Sequence, residues 1–162
     1  MRSLLLLRHA TTEAIRPGHS DRARRLTPEG QRQAAAVGDH LRSRGTLLDV
    51  VLCSPATRVQ QTVAALQLSA PVVVTDRLYD AGGDDIIHML RTLEDTVRHA
   101  LIVAHAPGLP AFVHELADPD SSDTQAMATI EWRFPAGTLA TMNVTGPWAD
   151  LQRAALVSVR LP

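Results

Sequence analysis

Four short apolar runs, each followed by a longer segment of helical period, constrain this chain more than any other feature. The runs are Leu4 to Leu7, Asp49 to Leu52, Pro71 to Val74 and Leu101 to Ala104. Strands buried on both faces read as near-continuous apolar runs, and parallel neighbours need a crossover long enough to hold a helix. The alternation therefore predicts an α/β fold: a three-layer α/β/α sandwich whose mostly parallel central sheet is flanked by helices. At 162 residues the chain is expected to form a single domain spanning 1–162, large enough to bury a full core. No repeat and no interdomain linker is visible.

Local signals place the helices. Thr27-Pro28-Glu29-Gly30 opens one, with Thr27 as N-cap and Pro28 at the first helical position, and Gly45 stops it after Arg44. Ser54-Pro55 is expected to cap a second helix through Val59, Val63 and Leu66. Asp84 begins a third that carries Ile87, Leu90, Leu93 and Val97, and a fourth runs from Gly108 to Leu116. Asp118 to Asp123 reads as a mobile polar segment. The remaining runs, Thr129 to Phe134, Thr138 to Val144 and Ala154 to Val159, are expected to be later strands, some antiparallel.

Composition narrows the partners. The net charge of −1 gives no nucleic-acid footprint and no polybasic membrane patch. The chain has no lysine, and seven of its arginines crowd the first third, Arg16 to Arg44. Coding bias accounts for that; it also suits a protein that grips a planar anion. The lone Cys53 rules out an internal disulfide and a cysteine-based zinc site, and is compatible with a reducing cytoplasm. Four consecutive leucines near the start are too few for a signal-peptide core or a membrane span.

Reactive residues stand at the ends of three of the strands. The first runs into Arg8-His9, the second into Ser54-Pro55 with Arg58 one turn on, and the fourth into His105-Ala106-Pro107. Ligands of open parallel sheets bind at the carboxyl ends of the strands, beside helix N-termini that favour anions. Taken singly, each of these residues is more often a surface polar or ion-pairing group. Four of them at three strand ends point to phosphate or carboxylate binding.

The segment Leu7-Arg8-His9-Ala10 resembles the Arg-His-Gly signature of the histidine phosphatase superfamily. Ser54-Pro55-Ala56-Thr57-Arg58-Val59-Gln60-Gln61-Thr62 is similar to its Ser-Pro-x-x-Arg-x-x-Gln-Thr segment, and Val103-Ala104-His105-Ala106-Pro107 to its second-histidine segment. The short length and Arg24-Arg25-Leu26-Thr27 resemble the SixA-like phosphohistidine phosphatase branch of this phosphoglycerate mutase-like group. The resemblance implies that His9 is the nucleophile and is transiently phosphorylated, and that Arg8, Arg58 and a protonated His105 hold the phosphoryl oxygens. Water then releases phosphate, with no metal and no other cofactor. The implied partner is a phosphorylated protein, phosphohistidine above all, with a small phosphomonoester as the alternative. A chain this short leaves little room for a lid, which suits a protein substrate.

Further positions follow from the same resemblance. Arg24 matches a basic position near the pocket; independently of the resemblance, Thr11 and Ser20 are candidate hydroxyl donors to phosphate, with local turn bonding the commoner role for each. Asp80 stands where broad-specificity members carry a general acid, while Asp84 and Asp85 are expected to serve a helix N-terminus. Ala10 replaces the usual glycine, a change expected to be tolerated unless the position needs a positive φ. His19 is a candidate for the pocket rim; His40, His88 and His99 read as surface residues.

Three other readings carry less. Cys53-Ser54-Pro55-Ala56-Thr57-Arg58 superficially resembles a cysteine phosphatase loop but has four intervening residues rather than five, with a proline and no glycine. A phosphate-binding module without turnover is a second, and a metal hydrolase on His9 and His105 a third, the last lacking a carboxylate at ligand spacing. Neither the glycine-lysine phosphate loop nor the dinucleotide fingerprint is present.

Overall fold

Residues 1–162 are all described by a computed structural model, in which Leu4 to Leu7 form the buried centre of the fold. They lie on β1 (Arg2–Arg8), and strand alternation sends them to opposite faces. Leu4 and Leu6 join one apolar cluster with Ile86, Leu90, Leu109, Phe112 and Trp148; Leu5 and Leu7 join another with Val37, Leu41, Val59 and Leu66. Truncating one of these leucines to alanine would cost about 2–5 kcal/mol.

Six strands make one sheet in the order β3-β2-β4-β1-β5-β6. β2 (Val50–Cys53), β3 (Val72–Val74) and β4 (His99–Ala104) run parallel to β1, whereas β5 (Leu139–Val144) pairs antiparallel with β1, and β6 (Ala155–Arg160) antiparallel with β5. Helices α1 (Pro28–Ser43) and α2 (Thr57–Leu66) cover one face; α3 (Gly83–Arg91), α4 (Gly108–Leu116) and α5 (Thr124–Trp132) cover the other. This is the expected three-layer α/β/α arrangement. No helix is long and apolar enough to cross a membrane.

The helix punctuation of α1 follows its sequence. Thr27 accepts a hydrogen bond from the Gly30 amide at 3.0 Å, and Gly45 turns the chain away at φ +64°. Four expectations are corrected. Thr129 to Phe134 is not a strand: Asp123 caps α5 through the Ala126 amide at 2.8 Å, and the cap with tertiary packing of Ala126 overrides the local β preference. The helix from Asp84 ends at Arg91, where the Thr92 hydroxyl donates to Met89 O, so Leu93 and Val97 pack from the following turn. Helix α2 starts two residues late, with Ala56 at its N-cap, because the Ser54 hydroxyl is turned to the Ala56 amide and to His105. The 118–123 segment is held, not mobile: the Asp118 amide donates to Ala154 O, and the Leu156 amide to the Ser122 hydroxyl.

Candidate active site

Strand order places β2, β4 and β1 side by side, so their carboxyl ends converge. The His9 amide donates to Ala104 O at 3.1 Å and the Ser54 amide to Val103 O at 3.3 Å, stitching the three ends together. A pocket of about 540 Å³ opens there, lined by Arg8, His9, Arg24, Arg58 and His105 among others. The four residues singled out at strand ends are thus brought to one place.

His9 is nearly buried, 6% exposed. Its Nδ1 lies 2.8 Å from Ala10 O, and a carbonyl can only accept, so Nδ1 carries the proton and Nε2 keeps its lone pair. Burial and the charges of Arg58, Arg8 and Arg24 push this imidazole down from 6.5 to about 4, against the carbonyl bond that favours its charged form. At neutral pH His9 is an uncharged base among guanidinium groups.

His105 sits beside it, ring centroids 5.4 Å apart at 63°. Arg58 Nη2 donates to His105 Nδ1 at 3.2 Å, which leaves Nε2 as donor to the Ser54 hydroxyl at 2.7 Å. Burial, Arg58 and His9 push its pKa down to about 3. In the free pocket His105 is neutral, first because it is buried and then because the Arg58 guanidinium lies at its acceptor nitrogen.

Arginines supply the positive charge. Arg58 is 5% exposed on the first turn of α2, and Arg8 donates to Phe134 O at 2.9 Å. The Nε of each is buried without an acceptor, so both guanidiniums have unused donors. Arg24 lines the same pocket and acts electrostatically on both imidazoles.

Two members of the site were not legible beforehand, Asp21 and Tyr79. Asp21 opens a short 3₁₀ turn (Asp21–Ala23) and gathers the cationic side chains: it accepts from Arg24 Nε at 2.9 Å, Arg58 Nη2 at 3.1 Å and the Tyr79 hydroxyl at 2.5 Å. Its backbone oxygen takes a further Arg58 bond at 2.7 Å. The Tyr79 hydroxyl first, and then Arg58 and Arg24, hold its carboxyl at about 2, so it is ionised. Tyr79 meets His105 edge-on at 5.5 Å, and Arg22 lies 5.2 Å from the Tyr79 ring centroid. The available signal was Asp21 itself, the one acid between Glu13 and Glu29 in an arginine-rich stretch, three residues before Arg24.

Other candidates fall as follows. Thr11 is turned away from the pocket: its amide and hydroxyl both donate to Gln33 Oε1 at 3.0 Å, and Thr12 lines the pocket in its place. Ser20 and His19 are exposed and do not line it. Asp80 lines it, exposed at the rim. Asp85 accepts from the Gly82 amide and caps α3 as expected. Ala10 does not have a positive φ, and its methyl packs with Leu26 and Ala34, so alanine fits where the family has glycine. Gln61 and Thr62 fix the loop behind His9 to α2, since Gln61 Oε1 accepts from the Leu26 amide and Thr62 Oγ1 from the Ala10 amide.

Comparison with known proteins bears on the family and the fold. An uncharacterized protein of Mycobacterium tuberculosis is 36% identical over 158 residues, 96% of this chain and 99% of its own. A phosphohistidine phosphatase SixA homolog of Haemophilus influenzae is 30% identical over 80% of this chain and 88% of its own length. The solved structure of a candidate phosphohistidine phosphatase SixA from Nakamurella multipartitia superposes with a TM-score of 0.88 at 38% identity, covering 99% of this chain and 96% of that one. The model of the histidine phosphatase superfamily (branch 1) matches residues 4–98, which hold Arg8, His9 and Arg58. By sequence, fold and pocket, the chain belongs to the histidine phosphatase superfamily.

Proposed function

We propose that this protein is a phosphatase that works through a phosphohistidine intermediate on His9, with phosphohistidine on a protein as its favoured substrate. The observation that carries the reading is the His9 tautomer: Nδ1–H is spent on Ala10 O, so Nε2 presents a lone pair among Arg8, Arg24 and Arg58. A neutral imidazole so fixed can attack phosphorus directly.

The two half-reactions follow from the side chains. The His9 Nε2 lone pair forms a nitrogen–phosphorus bond as the bond from phosphorus to the leaving atom breaks. Arg8 and Arg58 meet the charge on the equatorial oxygens with fixed, charge-assisted donors. His105 joins them, and takes up a proton only once a phosphoryl dianion offsets the Arg58 charge beside it. A basic leaving nitrogen is protonated from solvent. Water then attacks phospho-His9, releasing inorganic phosphate and restoring the imidazole.

A metal has no part in this scheme. Arg24 is assigned to substrate binding through its place on the pocket wall. We take residues 1–162 to act as one catalytic domain, and the buried free thiol of Cys53 to suit a reducing cytoplasm. The likeness to SixA-type proteins supports the phosphohistidine substrate.

Small phosphomonoesters are the second reading, favoured by Asp80, which lines the pocket where it can protonate an alkoxide. The test is turnover of a phosphohistidine protein against a panel of small phosphoesters, with wild type, His9→Ala and Asp80→Asn. The proposal expects the phosphoprotein to be hydrolysed, the activity to vanish in His9→Ala, and Asp80→Asn to leave it nearly intact. Hydrolysis of small esters alone, with strong loss in Asp80→Asn, would replace the substrate assignment. Phosphate binding without turnover would leave a binding module.

A further inference from the structure

On the α1 face of the sheet, helix cover stops short of the antiparallel strands. Residues directly opposite one another across paired strands share a face. Leu5 pairs with Thr141 and Thr141 with Ser158; Leu7 pairs with Leu139 and Leu139 with Arg160. Leu5, Leu7 and Leu139 are buried with α1 and α2, which puts Thr141, Ser158 and Arg160 on that same face. Helix α5 packs on β6, and its Ala126 belongs to the opposite cluster. The β6 end of both rows is therefore left open beside the end of α1.

A groove of about 700 Å³ occupies this place, larger than the pocket at His9, and the two share no residue. His40 lines it from the last turn of α1 and Arg44 from the C-cap of that helix, Arg160 from β6 and His99 from the start of β4. No aspartate or glutamate lines it, although the chain as a whole is slightly acidic. Neither Arg44 nor Arg160 makes any of the protein's five ion pairs, and Arg160 Nη1 is buried without an acceptor. The groups are close enough to repel: burial first, then Arg160 and Arg44, lowers the His40 pKa. The Thr141 and Ser158 hydroxyls complete a set of hydrogen-bond donors, and Leu5, Leu41 and Val157 supply an apolar wall.

We infer that this groove is a second anion site, which takes a phosphate group between Arg44 and Arg160. Several donors and two arginines without an ion-pair partner match the several oxygens and double charge of phosphate. The imidazoles of His40 and His99 flank it as reporters, and turnover at His9 is not required for binding here.

The test uses the whole protein, ¹³C-labelled at histidine, in an Arg58→Gln background that weakens binding at the other pocket. Inorganic phosphate is titrated against chloride at matched ionic strength while the ring signals of His40 and His99 are followed, with His40→Asn for assignment. The inference expects both signals to move along one saturable curve with phosphate but not chloride. Arg44→Gln with Arg160→Gln should weaken that curve at least about tenfold. Phosphate should also raise the unfolding midpoint of the Arg58→Gln protein, and lose this effect in the added double variant. Signals that follow ionic strength alone, or a curve untouched by the double variant, would overturn it. Arg160→Gln by itself repeats the test should the double variant fold poorly.

Discussion

Two neutral imidazoles inside a ring of arginines make stability fall in mild acid, and the size of the fall can be worked out. His9 is held at about 4 and His105 at about 3, against 6.5 for an exposed histidine. A histidine whose folded pKa is depressed leaves stability intact above its unfolded pKa. That stability is then lost as pH falls towards the folded value, because the unfolded chain takes up a proton that the folded one refuses. At about pH 5 the unfolded state gains roughly 2 kcal/mol from each protonated imidazole while the folded pocket gains almost nothing, about 4 kcal/mol in all. The carboxylates add little in this window, since Asp21 and Asp49, both held low, lose their stabilisation as pH falls from the usual carboxylate range downward. The assay is urea unfolding at about pH 7.5 and about pH 5, where His9→Gln and His105→Gln should each remove about 2 kcal/mol of the difference. His40, also depressed, stays in both variants and cancels. If His9→Gln loses as much stability on acidification as wild type, the neutral His9 is wrong, and with it the lone pair assigned to Nε2.

Three further outcomes are expected. Asp21→Asn removes the carboxylate that shares Arg58 and Arg24 with any bound phosphate; after discounting for its exposure, inhibition by phosphate should tighten about fivefold, and an unchanged or weakened inhibition constant would contradict this. A methyl at Gly108 would sit 1.9 Å from Ala81 O, whereas one at Gly82 meets nothing. Gly108→Ala should therefore cost more than about 2 kcal/mol in urea unfolding and Gly82→Ala less than about 0.5 kcal/mol, and equal costs would refute the close approach of α4 to the 79–82 loop. Ala10→Gly, in which a buried methyl is lost and no left-handed backbone is relieved, should destabilise by about 1 kcal/mol with kcat unchanged. A gain in stability on that change would mean that Ala10 is strained.

Much of this architecture is written locally. Thr27, Pro28 and Gly45 punctuate α1 as their chemistry dictates, and the four apolar runs all became parallel strands. Arg8, His9, Arg58 and His105 were legible because strand-end position is a local property and the parallel-sheet rule does the rest. Thr129 to Phe134 misled because Thr, Ile, Trp and Phe favour strands, while the cap at Asp123 and the packing of Ala126 lie upstream of the apolar run itself. Asp21 was missed for a different reason. Its partners Arg58 and Tyr79 are 37 and 58 residues away, so only the folded chain shows that this carboxylate organises the pocket. The protonation of His105 was likewise beyond the sequence, since it turns on burial in the folded pocket and on Arg58, 47 residues away.

The proposed reaction stands on covalent phosphorylation of His9 Nε2. The most direct measurement is rapid quenching of wild type, His9→Ala and His105→Ala with a ³²P-labelled phosphohistidine protein, each divided between alkali and acid. Wild type should carry a label that survives alkali, is lost in acid and maps to the peptide holding His9, and His9→Ala should carry none. Phosphate release by wild type without such a label, or a label that persists in His9→Ala, would contradict it.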